Sequence, residues 1–381
     1  MHLDSGVVDY VLSTTRSVRL RLDFERAIDP QIILDCIDIA EQAPTGGNRS
    51  SRRWIVVTQE SQKEKIADLY LKAAGNWMIE ARDKLAGSGH PNEKMMESAA
   101  YLAENLEKSP AIVIPTIIGT HDNSGKPGLF DSVIQSAWSF CLALRARGLG
   151  SAWTTAVLSE QDELKSILGI PDGVTEIALL PVAWTKGTSF SKVDRTPARE
   201  ITYFNNHGIT FENGPSSPIA FTDEPGVTTE IDIDSSLSDV WRVISDINFP
   251  AQYSDEFVSA EWKEDGNQIG VGSKFLGKNA NTSIGEWTVE CTIDAYEEKR
   301  RFGWCTGDPS APGARWRYEL ESFGSSVRVR HKVLLGPGSS GLTRIIAELP
   351  DKEEQIIMNR AVSLKTNMEN VLEGMKSYLE G

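Results

Sequence analysis

The sequence predicts an α+β protein that is divided into two different domains, and three observations support this. The chain has 381 residues, which exceeds one ordinary globular domain. Helical and strand-like segments are interspersed in its first part, whereas a run of strand patterns and then one long helix fill the second. Between them, residues 205–226 are rich in Gly, Pro, Ser and Asn and have no sustained period. We therefore predict domains at 1–208 and 227–381, joined by a linker at 209–226.

Composition and charge limit the classes of function. Hydrophobic residues make up 40% of the chain and charged residues 24%, which is typical of a globular protein. The formal net charge is −15, from 39 basic and 54 acidic residues. Tight binding to nucleic acid or to an anionic membrane needs a basic surface, so the sequence favours a small-molecule partner over either of these.

The cysteines and the first residues indicate a cytoplasmic protein. The four cysteines are far apart and form no CxxC pair, which argues against a zinc site or a disulfide framework: Cys36, Cys141, Cys291 and Cys305. Residues 1–17 have neither the basic start nor the apolar core of a signal peptide. No run of ~18 apolar residues occurs, so we expect no transmembrane helix and no metal site.

The elements of the first domain follow from periodicity and capping residues. A helix is predicted near residues 4–15, and a second begins with Asp29 as N-cap and Pro30 as its first residue. A mostly apolar helix at 131–147 ends at Gly148 and is expected to be buried inside a domain or at a subunit contact. Buried strands are predicted at 53–58, 111–118 and 176–184. Within the second of these, Pro115 indicates an edge strand or a bulge.

The second domain begins with an alternating strand at 227–234 and a short helix that Ser235 or Ser236 caps. A helix from about residue 350 to 379 closes the chain, with apolar residues spaced three or four apart. One face of this helix must therefore lie on an apolar surface, which the preceding sheet supplies. Further strands are predicted at 257–263, 271–277, 286–295, 300–306, 315–322 and 326–335.

Three segments of the first domain could carry chemistry. Residues 16–19, RSVR, offer two guanidinium groups and a hydroxyl that can hold a phosphate or a ribityl chain. Residues 43–48, APTGGN, allow a close backbone approach and supply an amide that can recognise the edge of a ring. Residues 148–155, GLGSAWTT, follow the buried helix. Each segment alone also fits a solvated surface or an ordinary helix end.

Taken in order, RSVR, APTGGN, GLGSAWTT, LLPVAW and DRTP resemble the nitroreductase family of FMN-dependent oxidoreductases over residues 7–205. The resemblance implies a central sheet flanked by helices, in an intertwined homodimer with FMN at the subunit interface. It implies phosphate and ribityl contacts from Arg16, Ser17 and Arg19, an approach from the partner subunit by Pro44, Thr45 and Asn48, ring contacts from Trp153, Thr154 and Thr155, and a returning contact from Arg195.

The chemistry implied by this resemblance belongs to the flavin, so we expect no catalytic triad. NAD(P)H, or alternatively a deazaflavin, would donate a hydride, and a planar organic molecule would react in ping-pong fashion. His121 beside Asp122 is the one pair that suggests acid–base chemistry, and we interpret it as a surface-loop histidine.

The chain departs from the family pattern at three positions. Thr15 stands where the family usually has a second basic residue, and Ser50 and Arg52 stand where a Gln and a Trp are common. The changes at Ser50 and Arg52 concern the substrate side of the pocket more than FMN binding itself. Arg52 and Arg53 could meet an anionic substrate or the nicotinamide phosphate, or could be solvated surface charges.

Residues 227–381 resemble, in the order of their elements, the helix-grip (SRPBCC) family that includes START-like lipid-transfer and polyketide cyclase domains. This implies an apolar cavity between the sheet and the last helix, although large aromatics can also form a filled core. Alternation puts Arg328 and Arg330 on one strand face, the solvated one, and separates His331 from them. Candidates for the cavity wall are Trp262, Phe275, Trp287, Trp304, Trp316 and Tyr318, with Trp287, Trp304 and Trp316 as substrate-binding candidates.

These observations lead to one main hypothesis, an FMN-dependent oxidoreductase fused to a hydrophobic-ligand-binding domain. The alternative is a catalytically degenerate protein that binds or carries an apolar metabolite. A third possibility is that the second domain only stabilises the dimer.

Overall fold

The computed structural model of the protein describes residues 4–90, 92–120, 130–212, 214–263, 269–281, 285–323 and 326–381. His121 and Asp122 lie outside the described residues. The chain forms two compact units, Met1–Asp194 and Arg195–Gly381. Mixed helices and strands occur in the first unit and a long antiparallel sheet with a C-terminal helix in the second, which confirms the α+β fold class.

The first unit contains one antiparallel sheet in the order β1-β6-β3-β2, with β4 beside β6 and β5 beside β3. Its strands are β1 (Leu22–Asp23), β2 (Arg52–Val57), β3 (Ala111–Ile118), β4 (Leu149–Ser151), β5 (Val174–Glu176) and β6 (Leu180–Thr185). Its helices are α1 (Ser5–Thr14), α2 (Pro30–Ala40), α3 (Glu60–Tyr70), α4 (Asn76–Leu85), α5 (Glu93–Asn105), α6 (Asp131–Ala146) and α7 (Gln161–Leu168).

Local signals fix the ends of two helices that position the site. The Asp29 carboxylate accepts a hydrogen bond from the Gln31 backbone N–H at 2.9 Å, and Pro30 is the first residue of α2, as predicted. After α6 the chain turns at Gly148, whose φ of +80° lies in the region that favours glycine. This turn leads directly from α6 into β4.

Pro115 lies inside the sheet, so of the two alternatives the edge strand is wrong, while the register along β3 shifts by one residue between Val113 and Thr116, which fits the bulge. On one side β3 pairs with β2, where Trp54 is opposite Pro115. On the other side β3 pairs with β6 up to Val113 and with β5 from Thr116 onward. Pro115 therefore falls where β3 changes partner, and its missing N–H removes no bond of either ladder.

The second unit is an antiparallel sheet of order β7-β8-β14-β13-β12-β11-β10-β9 with the long helix α10 packed on it. Its helices are α8 (Leu237–Ile244), α9 (Gly341–Glu348) and α10 (Glu353–Glu380). Its strands are β7 (Ile209–Phe211), β8 (Pro225–Ile233), β9 (Phe257–Trp262), β10 (Lys274–Asn281), β11 (Gly285–Glu297), β12 (Arg301–Thr306), β13 (Ala314–Phe323) and β14 (Ser326–Leu335).

Strand β7 occupies part of the stretch that the sequence assigns to a linker. Ile209 is opposite Val227 and Phe211 is opposite Pro225 in the pairing with β8. The side chains of Ile209 and Phe211 are buried in the apolar cluster beneath the start of α10. The short alternation Ile-Thr-Phe was hidden among turn residues, which is why periodicity did not reveal it.

The predicted face of α10 is buried against the sheet. Its buried residues recur at the predicted three- and four-residue spacing: Ile357, Ala361, Leu364, Met368, Val371 and Met375. Gly374, on the same helix, packs closely against the ring of Tyr253. A glycine is needed there because a Cβ would lie 2.3 Å from Tyr253 Cδ1. Helix α8 is capped by Ser236, whose hydroxyl accepts from the Asp239 N–H at 3.1 Å.

Candidate functional site

The loop that contains residues 16–19 is tied to the strand that leads to Trp153. The Val18 N–H donates to the Ser151 carbonyl at 2.8 Å. A glycine is needed beside this contact, since a Cβ at Gly150 would lie 2.7 Å from Thr185 Cγ2 and 3.2 Å from Val18 Cβ. The structure therefore brings together two of the three segments singled out in the sequence.

Two pockets adjoin this loop and share the lining residues Arg16, Ser17 and Val18. The smaller extends to α6, β4 and Trp153, and the larger to α5 and Phe190. No acidic side chain is among the described residues that line either pocket, although the protein as a whole carries a net charge of −15. Five lining side chains are positively charged: Arg16, Arg19, Arg21, Lys94 and Arg145.

Two of these cations build the pocket wall. Arg21 donates to the carbonyls of Lys186 and Ser189 at 2.9 and 2.8 Å and lies 4.1 Å from the centre of the Phe190 ring. Arg145 donates to the Thr188 carbonyl at 2.9 Å and lies on the same ring. Their positive charge faces the pockets, while their hydrogen bonds hold residues 186–190 in place.

Two other cations remain available to a ligand. Within the part of the chain that the structure describes, the side chains of Arg19 and Lys94 form no hydrogen bond or ion pair, and the Arg16 side chain makes one long contact, 3.4 Å to the Ser191 carbonyl. Guanidinium and ammonium groups of this kind form strong, charge-assisted hydrogen bonds to phosphate oxygens. The larger pocket thus has the chemistry of an anion site.

Ser151 supplies a second mark of a ligand site. Its side chain lines the smaller pocket and is buried, yet its Oγ has no hydrogen-bond partner among the described residues. Buried hydroxyls nearly always have a partner, so this one is suited to a polar group of a bound molecule. Trp153, which is half-buried, lines the same pocket.

The remaining ring candidates differ in their surroundings. The Thr154 hydroxyl lies 3.2 Å from the Tyr70 hydroxyl. The backbone N–H of Thr154 donates to the Leu179 carbonyl at 3.2 Å. Thr155 is exposed and accepts a hydrogen bond from the Leu158 N–H at 3.0 Å. Thr154 is therefore held by the protein, and neither threonine is among the lining residues of the two pockets.

Four predicted FMN contacts are not among the described lining residues of these two pockets. Pro44, Thr45 and Asn48 line neither pocket, and Pro44 and Asn48 are exposed on a turn. Gly47 and Asn48 have φ values of +62° and +53°, and the Gly46 N–H donates to Ser132 Oγ at 2.9 Å. The fourth contact, Arg195, is exposed and is the first residue of the second unit.

Arg52 has a different role from the predicted substrate contact. Only 6% of this residue is exposed. Its terminal nitrogens donate to the carbonyls of Glu41, Ala43 and Ser132 at 3.1 to 3.2 Å, and its Nε lies 3.3 Å from the Glu41 carboxylate. Since Glu41 and Ala43 directly follow α2 and Ser132 belongs to α6, Arg52 fixes the chain that leads into the turn at residues 43–48. The neighbouring Arg53 is exposed.

Several lining residues were not identified from the sequence. Lys94 lies on α5, and Trp138, Cys141 and Arg145 recur on one side of α6. Burial raises the pKa of Cys141 to about 12, so its thiol stays protonated at neutral pH. The signal in the sequence was the presence of Trp138 and Arg145 within the mostly apolar helix α6.

In the second unit, a cavity of about 130 Å³ lies between the sheet and α10. Trp304 and Trp316 line it together with Phe275 and Tyr318. Trp287, assigned to substrate binding from the sequence, is not among the lining residues. It is half-buried near the Gly285 end of β11, opposite Asn279, beyond the lining residues Val289 and Cys291. The aromatic residues of this unit therefore do not fill its interior.

Two buried polar side chains, His331 and Tyr318, also face this cavity. Their rings are stacked at 4.0 Å between centroids, with an interplanar angle of 17°. Burial lowers the pKa of His331 to about 3 and raises the pKa of Tyr318, because both charged forms would lose their hydration. Both groups are neutral at neutral pH.

The described residues lack two further kinds of feature, a metal-binding cluster and a membrane-spanning helix. Across the described ranges, no group of three or more His, Cys, Asp or Glu residues is arranged to hold a metal ion. No helix in the described part of the chain has the length and apolar character needed to cross a membrane.

Comparison with protein families identifies both parts of the chain. The nitroreductase family matches residues 12–184, and the family of polyketide cyclase/dehydrase and lipid transport proteins matches residues 224–380. The protein therefore joins a nitroreductase-family domain to a polyketide cyclase-like domain, in the order predicted. The match of residues 12–184 to the nitroreductase family supports a flavin oxidoreductase type of function for the first domain.

Solved structures resemble each domain at low identity. A mutant FMN and NADPH-dependent nitroreductase from Sphigopyxis sp. strain HMH is 16% identical over 52% of this chain and 98% of its own, with a TM-score of 0.41. A nitroreductase-like family protein from Bacillus cereus is 18% identical over 54% and 98%, with a TM-score of 0.40. A polyketide cyclase-like protein from Corynebacterium glutamicum is 22% identical over 41% and 91%, with a TM-score of 0.32.

Proposed function

We propose that this protein is an FMN-dependent oxidoreductase of the nitroreductase type whose second domain binds an apolar ligand. One observation carries the proposal. Two pockets in the nitroreductase-family domain, which share three lining residues, are lined by five positive side chains and, among the described lining residues, by no acid. In a protein of net charge −15, such a site selects an anionic ligand, and FMN carries a phosphate.

The residues present fit FMN. Arg16, Ser17 and Arg19, joined by Lys94, would hold the phosphate and the ribityl chain by charge-assisted hydrogen bonds. The unpartnered hydroxyl of Ser151 would bond a polar group of the cofactor, and Trp153 would lie along its ring. When bound, FMN supplies hydride transfer, and the protein supplies orientation and electrostatics. Positive side chains beside the ring also favour an anionic reduced form.

The proposal includes a homodimer. Six apolar side chains on α1 and α6, two helices that pack together, are exposed by 40% or more: Val7, Val8, Tyr10, Leu12, Ile134 and Trp138. An apolar surface of this kind is typical of a subunit interface. In the dimer, Pro44, Thr45 and Asn48 of the partner would complete the site, as the family resemblance implies. Arg195 would return to the cofactor.

NAD(P)H would be the hydride donor and a planar organic molecule the acceptor. The first test is the absorbance spectrum of the purified full-length protein, followed by release of the cofactor on denaturation and its identification by chromatography. We expect flavin bands, one FMN per chain, and bleaching of the bands by NADH or NADPH. A colourless protein that cannot be reconstituted with FMN would contradict the proposal.

A second candidate is a carrier of an apolar metabolite in which the flavin domain has lost its activity. The cavity of about 130 Å³ in the second unit favours this function, since it exists independently of the FMN pockets. The two candidates differ in turnover. No NAD(P)H oxidation with quinone or nitroaromatic acceptors, together with tight binding of an apolar molecule, would support the carrier.

A further inference from the structure

Three polar side chains form a row across the sheet of the second unit. Thr229 on β8 is directly opposite His331 on β14, and His331 is directly opposite Tyr318 on β13. Directly opposed residues point to the same face, and Leu364 and Met368 of α10 line the cavity with His331 and Tyr318. The row therefore lies on the face of the sheet that α10 covers.

These side chains are buried and have no hydrogen-bond partner. The exposed fractions of Thr229, His331 and Tyr318 are 4%, 4% and 1%. Within the described residues, no group bonds Thr229 Oγ1, Tyr318 Oη or either ring nitrogen of His331. Buried polar atoms are almost always paired because an unpaired one loses its hydration without compensation. His331 and Tyr318 line the cavity, so a partner for them must come from within it.

The rest of the cavity selects against an anionic ligand. No lysine or arginine is among the described residues that line it, and its carboxylates are Asp246 and Glu256. Glu256 is held by Arg360 through hydrogen bonds of 2.6 and 2.7 Å. An anion bound here would be buried near carboxylates without a facing cation, which is unfavourable. The apolar part of the wall includes Phe275, Phe302, Trp304, Leu364, Met368 and Val371.

The size of the cavity limits the ligand further. Its volume of about 130 Å³ is close to that of an engineered apolar cavity of about 150 Å³ that binds benzene. A single substituted ring therefore fits. A neutral imidazole has one donor and one acceptor nitrogen, and the tyrosine hydroxyl can donate and accept. The pair can thus satisfy a hydroxyl group completely and a carbonyl group by donation.

We infer that the cavity binds a neutral, ring-sized apolar molecule bearing a hydroxyl or carbonyl group, and that His331 and Tyr318 hydrogen-bond this group. The inference rests on the proposed ligand-binding function of the second domain and narrows it to one chemical class. Tyr318 and His331 give the site its specificity, while the aromatic and aliphatic wall gives it affinity.

The test is calorimetric titration of the full-length protein with three probes of equal ring size, p-cresol, toluene and p-toluate. We expect p-cresol to bind about tenfold more tightly than toluene, because toluene leaves the polar pair unsatisfied. We expect p-toluate to bind most weakly, because its carboxylate meets no cation. Similar affinities for p-cresol and toluene would overturn the inference.

Variants then locate the effect. Tyr318→Phe and His331→Phe should each lower the affinity for p-cresol toward that for toluene and leave toluene binding unchanged. Tyr296→Phe is the matched control, since Tyr296 lies on β11 and is not among the lining residues, and it should bind like the unaltered protein. Tyr318→Phe removes a single unpaired oxygen, so it carries the test even if His331→Phe does not fold.

The outcomes separate the inference from the function on which it rests. If toluene binds but p-cresol is not preferred, or if both variants keep the preference, the polar pair does not select the ligand and the inference fails alone. If none of the probes binds, the inference fails together with the proposed ligand-binding function of the second domain.

Discussion

A single arginine illustrates how position in sequence and position in space can point to different roles. Arg52 occupies a place where the nitroreductase pattern commonly has an aromatic residue, which suggested a substrate contact. The β2 strand instead turns this side chain inward, beneath the carbonyls that end α2. Its neighbour Arg53, one step along the strand, faces solvent. The choice between the two faces follows from the register of β2, which a local motif does not determine.

Arg52→Met should destabilise the first domain by about 2 to 3 kcal/mol, because it removes the partner of Glu41 and of several buried carbonyls. The free energy of unfolding, measured by urea denaturation of the full-length protein, checks this. Arg53→Met is the control and should change it by less than about 0.5 kcal/mol. Equal effects of the two substitutions would show that Arg52 does not clamp the turn.

Arg19→Ala should weaken FMN binding by about tenfold or more, since a charge-assisted hydrogen bond to the phosphate is lost. The affinity is measured by the fluorescence of FMN titrated into the apoprotein. Riboflavin, which lacks the phosphate, should be affected far less. Arg26→Ala serves as the control, because Arg26 is exposed on the Trp184 ring, 3.7 Å from its centroid, and lines neither pocket. A comparable loss for riboflavin would place Arg19 elsewhere than at the phosphate.

At the scale of elements, strong local signals were sufficient. The N-cap at Asp29, the glycine after α6 and the spacing of apolar residues in α10 each come from interactions within a few residues, and the structure has all three. β7 and the interior position of Pro115 depend instead on which strands pair. The cationic lining of the two pockets in the first domain likewise joins α5, α6 and the loop at 16–21, which are far apart in sequence.

Gly374→Ala should destabilise the second domain, although alanine is the better helix former by about 1 kcal/mol. The new Cβ would lie 2.3 to 2.5 Å from ring atoms of Tyr253, and overpacking of this kind costs about 1 to 3 kcal/mol. Thermal unfolding of the full-length protein measures the effect. The double variant Gly374→Ala with Tyr253→Ala should be free of the clash, so adding Gly374→Ala to Tyr253→Ala should cost nothing further. An additional loss would contradict the packing argument.

At the scale of the whole molecule, pH acts on the net charge and on one buried histidine. The net charge of −15 lies on the surface and changes gradually with pH. His331 is buried, and its pKa of about 3 in the folded protein compares with about 6.5 for an ordinary histidine. Because the unfolded chain binds the proton more readily, His331 favours unfolding increasingly as the pH falls below about 6.5.

The stability of the second domain should therefore decrease, relative to that of a His331→Phe variant, by up to about 1.4 kcal/mol per pH unit between pH 6.5 and pH 4. Above pH 7 the difference between the two proteins should be constant. Urea denaturation at a series of pH values measures the free energy of unfolding of both proteins. Subtracting the value for the His331→Phe variant removes the contribution of the carboxylates, including Asp246 and Glu256 at the cavity. A difference that does not depend on pH would show that His331 is accessible to protons when folded.

Strand β7 also affects how the second domain can be studied alone. It covers the outer edge of β8 through the pairing of Ile209 with Val227 and of Phe211 with Pro225. A fragment that starts at residue 225, the first residue of β8, would leave that edge bare, and unpaired backbone donors and acceptors can recruit a strand from another copy. We expect such a fragment to self-associate in light-scattering measurements, whereas one that starts at residue 195 should remain dispersed.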